Sequence, residues 1–150
     1  YDIAVSENGK PYDKNSATHF NLSHSGMFAA AAFDKCDVGI DIEVFRDVDL
    51  KLAERFFSSE ENALIKASHA PEKQFLRMWT RKEALIKAYG KVLPCELSEL
   101  NTSCDNVEIH GVSYGITTKE DEKFFLSVAR KGTPAPLSMK TLQLFKNTTV

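Results

Sequence analysis

A long amphipathic segment, KQFLRMWTRKEALIKAY, covers residues 73–89 and is followed directly by Gly90. Its apolar side chains recur at helical spacing, and a glycine just after the last turn is typical of a helix C-cap. The spacing therefore predicts a helix over 73–89. A second helix is predicted to begin at Ser58, and residues 48–57 also carry apolar side chains near helical spacing.

Short strand patterns lie on both sides of this helical region. Before it, alternation and apolar composition predict strands at 19–25, 27–33 and 38–43, the middle one fully buried, with a helix as an open alternative there. Their short connections predict an antiparallel meander. After it, three strand candidates lie within 106–131, with a polar hairpin tip at 119–123. Strands, then helices, then strands predict an α+β fold.

Composition restricts the class of protein. The chain of 150 residues is long enough for one compact domain, and its formal charge of −2 argues against a nucleic-acid partner. No apolar run approaches the roughly 20 residues that cross a membrane. The three cysteines form no CxxC pair, which predicts reduced thiols and a cytoplasmic location. The opening stretch is polar and unlike a signal peptide. Because the chain opens with Tyr1 rather than Met, we expect an N-terminal portion of the natural product to be absent.

Two acids lie on one face of the third predicted strand. Asp41 and Glu43 are two residues apart and so project together, opposite Ile40 and Ile42, which face the core. A half-exposed strand with a solvated face explains this pattern without any function. A hard cation such as Mg²⁺, which is held by a few carboxylates with waters and phosphates, is the alternative.

The predicted helix adds a third acid. Thr80, Glu83, Lys87 and Gly90 are spaced 3, 4 and 3 apart and form one stripe on its surface. Glu83 and Lys87 are typical of a surface ion pair. They also suit a site where a metal ion and an ammonium share a polyphosphate. Spacing does not decide between the two.

Three further candidates are ambiguous when taken singly. His24, between two serines at a strand end, is typical of a core or turn histidine, or of a phosphate contact. Lys10 is by default a solvated loop lysine. Ser58 and Glu61 match a capping box, which explains both residues without a role in catalysis.

Taken together, these segments resemble the Sfp-type 4′-phosphopantetheinyl transferases in order and spacing. The signature of that family pairs a G-[IV]-D-x-E strand with a W-[ST]-x-K-E-A-x-x-K helix about forty residues later. The matching segments here are 39–43, GIDIE, and 79–87, WTRKEALIK, with FNLSHS upstream and RFFS between them. The resemblance is strong over about 8–93 and rests on strand pattern alone over 94–131.

The resemblance implies transfer of the 4′-phosphopantetheine group of coenzyme A to a serine of an acyl or peptidyl carrier protein, releasing 3′,5′-ADP. It implies that Mg²⁺, with Mn²⁺ as an alternative, is held by three carboxylates: Asp41, Glu43 and Glu83. It implies contacts to coenzyme A from five side chains: Lys10, Ser23, His24, Lys82 and Lys87. Lys87 would also assist the leaving group, and Glu61 or Glu83 would be the catalytic base.

The resemblance also implies two similar lobes of antiparallel strands and packed helices, the first incomplete in this chain. The expected boundaries are 1–37 for the remnant of the first lobe, 38–135 for the lobe with the metal site and 136–150 for a C-terminal tail. Residues 44–57 would dock an acidic carrier protein, with a plain core helix as an equal alternative. The missing part of the first lobe leaves a second possibility for function: a catalytically weak or inactive coenzyme A-binding module, or a half-lobe partner of another chain.

Overall fold

The computed structural model describes residues 2–6, 9–15, 17–90, 93 and 95–141. Within these ranges the chain forms an α+β fold, as predicted, with two 3₁₀ turns at Leu50–Leu52 and Leu97–Glu99. The strands and helices follow in chain order: β1 Ile3–Val5, β2 Pro11–Asp13, β3 His19–Ser25, β4 Phe28–Asp34, β5 Val38–Val44, α1 Ala53–Phe56, α2 Ser59–Ala67, α3 Pro71–Tyr89, β6 Asn106–Ile109, β7 Val112–Glu120 and β8 Phe124–Lys131.

Four strands form an antiparallel sheet in the order β5-β8-β7-β6, while β1–β2 and β3–β4 form separate hairpins. The predicted meander of three strands is therefore wrong, because β5 pairs with β8 and not with β4. The physical reason is burial. The β3–β4 hairpin packs Phe28, Ala30 and Ala32 against Ile40 and Ile42, a contact that a continuous flat sheet would not allow.

The strand β4 alternates between partly buried and exposed positions, so the prediction of a fully buried strand is also wrong. Met27, in the turn before it, is 99% exposed, and Phe33 is 69% exposed. A hairpin that packs through one face leaves its other face outside, whatever its composition. The apolar sequence MFAAAAF gave no sign of which side chains face inward.

The helix α3 lies directly against β5 because position 39 carries no side chain. A Cβ at Gly39 would overlap the backbone of Ala84 and Ala88. The buried face of α3 packs Ala84 and Leu85 into the core beneath the sheet. Gly90 adopts φ 67° and donates its N–H to the carbonyl of Ile86, which confirms the predicted C-cap.

The predicted docking segment 44–57 contains a 3₁₀ turn and the short helix α1. The apolar residues near helical spacing in 48–57 therefore do not form one long helix. Phe57 is only 2% exposed and packs edge-to-face against Phe75, with the ring centroids 4.9 Å apart. Phe57 therefore belongs to the core, while Arg55 is exposed and lies over the ring of Phe56. Among the helices that the structure describes, none is long and apolar enough to span a membrane.

Candidate functional site

The candidate site lies where β5 faces α3 and the edge of β3. Asp41 is 6% exposed, and its Oδ1 accepts hydrogen bonds from Lys87 Nζ at 2.7 Å and Ser23 Oγ at 2.9 Å. Its Oδ2 is buried and has no hydrogen-bond partner among the described residues. Because an unpaired buried carboxylate oxygen is costly, this atom marks a position where a ligand would be stabilised.

Glu43 projects from the same face of β5, closer to solvent. Its Oε2 accepts a hydrogen bond from Ser25 Oγ at 3.1 Å and lies 3.6 Å from Arg46 Nη2. Asp41 and Glu43 are therefore both bound by serines of β3, as strand geometry predicts for side chains that point together.

Glu83 on α3 completes the group of acids. Its burial, followed by the charge of Asp41, raises the pKa of the Glu83 carboxyl, with a smaller contribution from Glu43. The positive charge of Lys87 partly offsets this increase by lowering the pKa of the Glu83 carboxyl. The stripe predicted on α3 thus does face β5 and β8, and Thr80 contributes by accepting a hydrogen bond from Ser127, the cross-strand neighbour of Asp41.

Within the described residues, no three His, Cys, Asp or Glu side chains are arranged closely enough to hold a metal ion. Lys87 occupies one oxygen of Asp41 instead. The donor types nevertheless suit a hard cation, since the Glu83 carboxyl interacts electrostatically with both Asp41 and Glu43, and Asp41 Oδ2 is unpaired. The assignment of Asp41, Glu43 and Glu83 as metal ligands remains a prediction.

Lys10 lies near this site but binds the backbone. Its Nζ donates to the carbonyl oxygens of Val38 at 2.9 Å and Lys87 at 3.0 Å, and burial lowers its pKa. The ammonium thereby joins the start of β5 to the last turn of α3, where a positive charge is favoured. The default interpretation as a solvated loop lysine is wrong, and a contact to coenzyme A stays a prediction.

Ser23 and His24 are separated by the alternation of β3. Ser23 faces Asp41, whereas His24 is exposed on the opposite face of the hairpin, across from Ala29. The structure thus brings Ser23 into the candidate site and places His24 outside it. The predicted contact of His24 with phosphate stays a prediction.

Glu61 and Lys82 form a second, fully buried cluster. Lys82 Nζ lies 2.8 Å from Glu61 Oε2 and also donates to the carbonyls of Leu97 and Leu100. Glu61 closes the predicted capping box with Ser58 and accepts two hydrogen bonds from Thr102. At 0% exposure, Glu61 has the environment of a structural residue. Its role as a base, and the contact of Lys82 with coenzyme A, stay predictions.

Sequence reasoning overlooked Ser25 and Arg81. Ser25 binds Glu43, and its signal was available in the alternating polar positions of HFNLSHS. Arg81 is 1% exposed and donates to the carbonyl of Thr102 at 2.6 Å and to Asp105 at 2.9 Å. These bonds hold the connection between α3 and β6. Nothing in the sequence distinguished this arginine from a surface residue.

Residues 37–137 match the family model described as the 4′-phosphopantetheinyl transferase superfamily. The chain is 45% identical over 94 residues to the 4′-phosphopantetheinyl transferase psf-1 of Bacillus pumilus, covering 61% of this chain and 40% of that protein. It is 38% identical over 102 residues to the 4′-phosphopantetheinyl transferase Sfp of Bacillus subtilis (strain 168), covering 66% of this chain and 46% of that protein. The chain thus spans less than half the length of these two relatives.

The fold has a counterpart in a solved structure, the holo-[acyl-carrier-protein] synthase (AcpS) of Thermotoga maritima. The two superpose with a TM-score of 0.51 at 19% sequence identity, covering 65% of this chain and 64% of that one. The predicted fold class, antiparallel strands with packed helices as in the phosphopantetheinyl transferases, is therefore confirmed.

Proposed function

The chain belongs to the 4′-phosphopantetheinyl transferase superfamily, and on this premise we propose that it transfers 4′-phosphopantetheine from coenzyme A to a carrier-protein serine. In this reaction the serine oxygen bonds to the phosphorus that bears pantetheine. The pyrophosphate P–O bond breaks, 3′,5′-ADP leaves, and the serine proton passes to a base. The proposed acceptor is an acyl or peptidyl carrier protein. The three cysteines are free, in keeping with a proposed cytoplasmic location.

The observation that carries this proposal is the unpaired, buried Oδ2 of Asp41 beside the ammonium of Lys87. Asp41, Glu43 and Glu83 would hold Mg²⁺ or Mn²⁺. Such an ion, when bound, neutralises charge on the pyrophosphate oxygens. Positioning and charge neutralisation account for most of the catalysis in phosphoryl-type transfer, so the protein needs no covalent intermediate.

The chain's own residues have separate tasks in this proposal. Lys87, already at the site, stabilises the negative charge that develops on the leaving 3′,5′-ADP. Ser23 accepts a hydrogen bond from Lys87 and donates one to Asp41, so it would orient both groups at the bound phosphate. Glu83 is proposed as the base for the carrier serine, because its carboxyl interacts with the charges of both Asp41 and Lys87 and so lies at the site. Glu61 has both oxygens occupied by other partners.

A coenzyme A-binding module without transfer activity is the second candidate. It is favoured by one observation: the chain spans 40% and 46% of two relatives named as transferases. A half-lobe partner of another chain is a variant of the same idea. Both retain the site at β5 and α3 but lack transfer by this chain alone.

The proposal is tested by labelling a carrier protein with a fluorescent coenzyme A. We expect labelling in Mg²⁺, its loss in EDTA, and a fall of at least about a hundredfold in Asp41→Asn. Asp47→Asn, a nearby exposed aspartate, is the matched control. Labelling that survives both EDTA and Asp41→Asn would contradict the proposal. Coenzyme A binding by this chain without transfer, together with transfer by a chain extended at its N-terminus, would establish the second candidate.

A further inference from the structure

Three side chains of β3 form hydrogen bonds with the backbone along the outer edge of β5. Asn21, Ser23 and Ser25 accept hydrogen bonds from the backbone N–H groups of Ile40, Ile42 and Val44, at 2.9, 3.4 and 3.2 Å. Each acceptor lies nineteen residues before its donor, so the two strands run in parallel at constant register. Since β5 is the last strand of its sheet, these side chains satisfy donors that would otherwise lack a partner.

The two serines also bind the acids of β5. Ser23 accepts from the N–H of Ile42 and donates to Asp41, at 2.9 Å. Ser25, two residues further along β3, makes the same pair of bonds: it accepts from the N–H of Val44 and donates to Glu43. A hydroxyl carries a single proton. Once its lone pair accepts the strand N–H, that proton is directed toward the carboxylate.

Glu43 has a competing partner outside the site. Arg46 is 52% exposed in its side chain and approaches Glu43 Oε2 to 3.6 Å, a distance typical of a weak surface ion pair. Ser25 contacts the same oxygen at 3.1 Å. Without the Ser25 hydroxyl, the carboxylate of Glu43 would be free to follow Arg46 toward solvent.

We propose that Ser25 is a positioning residue, which holds the Glu43 carboxylate toward Asp41 and so increases the affinity of the site for a divalent cation. The proposal rests on the assignment of Glu43 as a cation ligand in the proposed function. It differs from a contact to coenzyme A, because Ser25 acts through Glu43. Outer hydrogen-bond partners of ligating carboxylates typically contribute 10–100-fold in metal affinity, as a rough range.

The test is a titration of the chain with Mn²⁺, in the absence of coenzyme A, followed by the EPR signal of the free ion. Ser25→Ala should weaken Mn²⁺ binding about tenfold, and Ser25→Thr, which keeps the hydroxyl, should restore it to within about threefold. Ser113→Ala, an exposed serine on β7 at the far side of the sheet, is the control and should bind as the unaltered chain does. Denaturant unfolding of each variant separates positioning from loss of fold.

The outcomes are distinguishable. Unaltered Mn²⁺ binding in Ser25→Ala, or failure of threonine to restore it in a folded variant, would overturn the role of Ser25 and leave the proposed function standing. Weakened binding in Ser25→Ala without any carrier labelling by the chain would support Ser25 and count against transfer. Absence of Mn²⁺ binding in the unaltered chain would overturn the role of Ser25 in cation affinity, and carrier labelling in Mg²⁺ then decides the proposed function by itself.

Discussion

Lys87 Nζ lies 2.7 Å from Asp41 Oδ1, so an ammonium from α3 already neutralises the most buried acid of β5. The other oxygen of that carboxylate remains unpaired. A bound cation and Lys87 would therefore share one carboxylate and repel each other. Lys87 is 28% exposed in its side chain and is free to turn toward a phosphate.

Replacing Lys87 should separate cation binding from transfer. In Lys87→Gln we expect Mn²⁺ to bind more tightly by a few-fold, because a competing positive charge is gone, while carrier labelling falls about a hundredfold. Lys66→Gln, an exposed lysine in an ion pair with Glu54, is the control. Weaker Mn²⁺ binding in Lys87→Gln would contradict the competition.

Glu61 should behave as half of a buried ion pair. Glu61→Gln leaves the Lys82 ammonium unpaired in the core, which we expect to lower the free energy of unfolding by about 3 kcal/mol. The double variant with Lys82→Met should be more stable than the single one, because it removes the unpaired charge. Denaturant unfolding measures both, with exposed Glu60→Gln as control. A folded Glu61→Gln with unchanged stability and a strongly reduced kcat would instead favour Glu61 as the base.

Gly39 should tolerate no side chain. In Gly39→Ala the new Cβ meets the backbone of α3, so we expect a loss of about 3 kcal/mol in unfolding free energy as the helix is displaced from β5. Gly111→Ala provides the comparison, since the space around Gly111 is open and only its φ of 74° is unfavourable, costing about 1 kcal/mol. Equal losses in the two variants would argue against the tight contact.

Asp34 should make stability dependent on pH. Arg130 Nε donates to Asp34 Oδ2 at 2.8 Å, and this contact holds the pKa of the Asp34 carboxyl far below its usual range. A lowered pKa in the folded state stabilises the protein above the ordinary value of about 3.9, and the gain is lost progressively as pH falls from there through the much lower pKa of the folded state. Asp34→Asn should therefore cost about 1 kcal/mol at pH 7, retain most of that cost at pH 3, and lose it only under more acidic conditions. A difference independent of pH, measured by urea unfolding, would exclude the ion pair as its cause.

The sequence predicted the elements well where periodicity or capping chemistry was local. The helix before Gly90, the capping box at Ser58 and the strand with Asp41 and Glu43 all follow from side-chain spacing, and the structure confirms each of them. What spacing could not provide is pairing between distant segments. Nothing local to β5 reveals that its partner is β8, some ninety residues later.

The candidate site was predictable in its acids and not in its supporting contacts. Asp41 and Glu83 were found through strand and helix periods together with family resemblance. Lys10 and Lys82 appeared as solvated or ligand-binding cations, but both bind backbone carbonyls in the structure. The residue type alone does not indicate whether a lysine is buried or exposed, because that depends on the segments that pack around it.

Mn²⁺ binding by the chain and by its Asp41→Asn and Glu83→Gln variants, again followed by the EPR signal of the free ion, decides whether the acids act together. If the acids of β5 and α3 form one cation site, the unaltered chain binds one ion, and each variant binds it at least about tenfold more weakly while remaining folded. Asp47→Asn should bind as the unaltered chain does. Equal Mn²⁺ affinity in all four proteins would contradict the claim that Asp41 and Glu83 belong to one site.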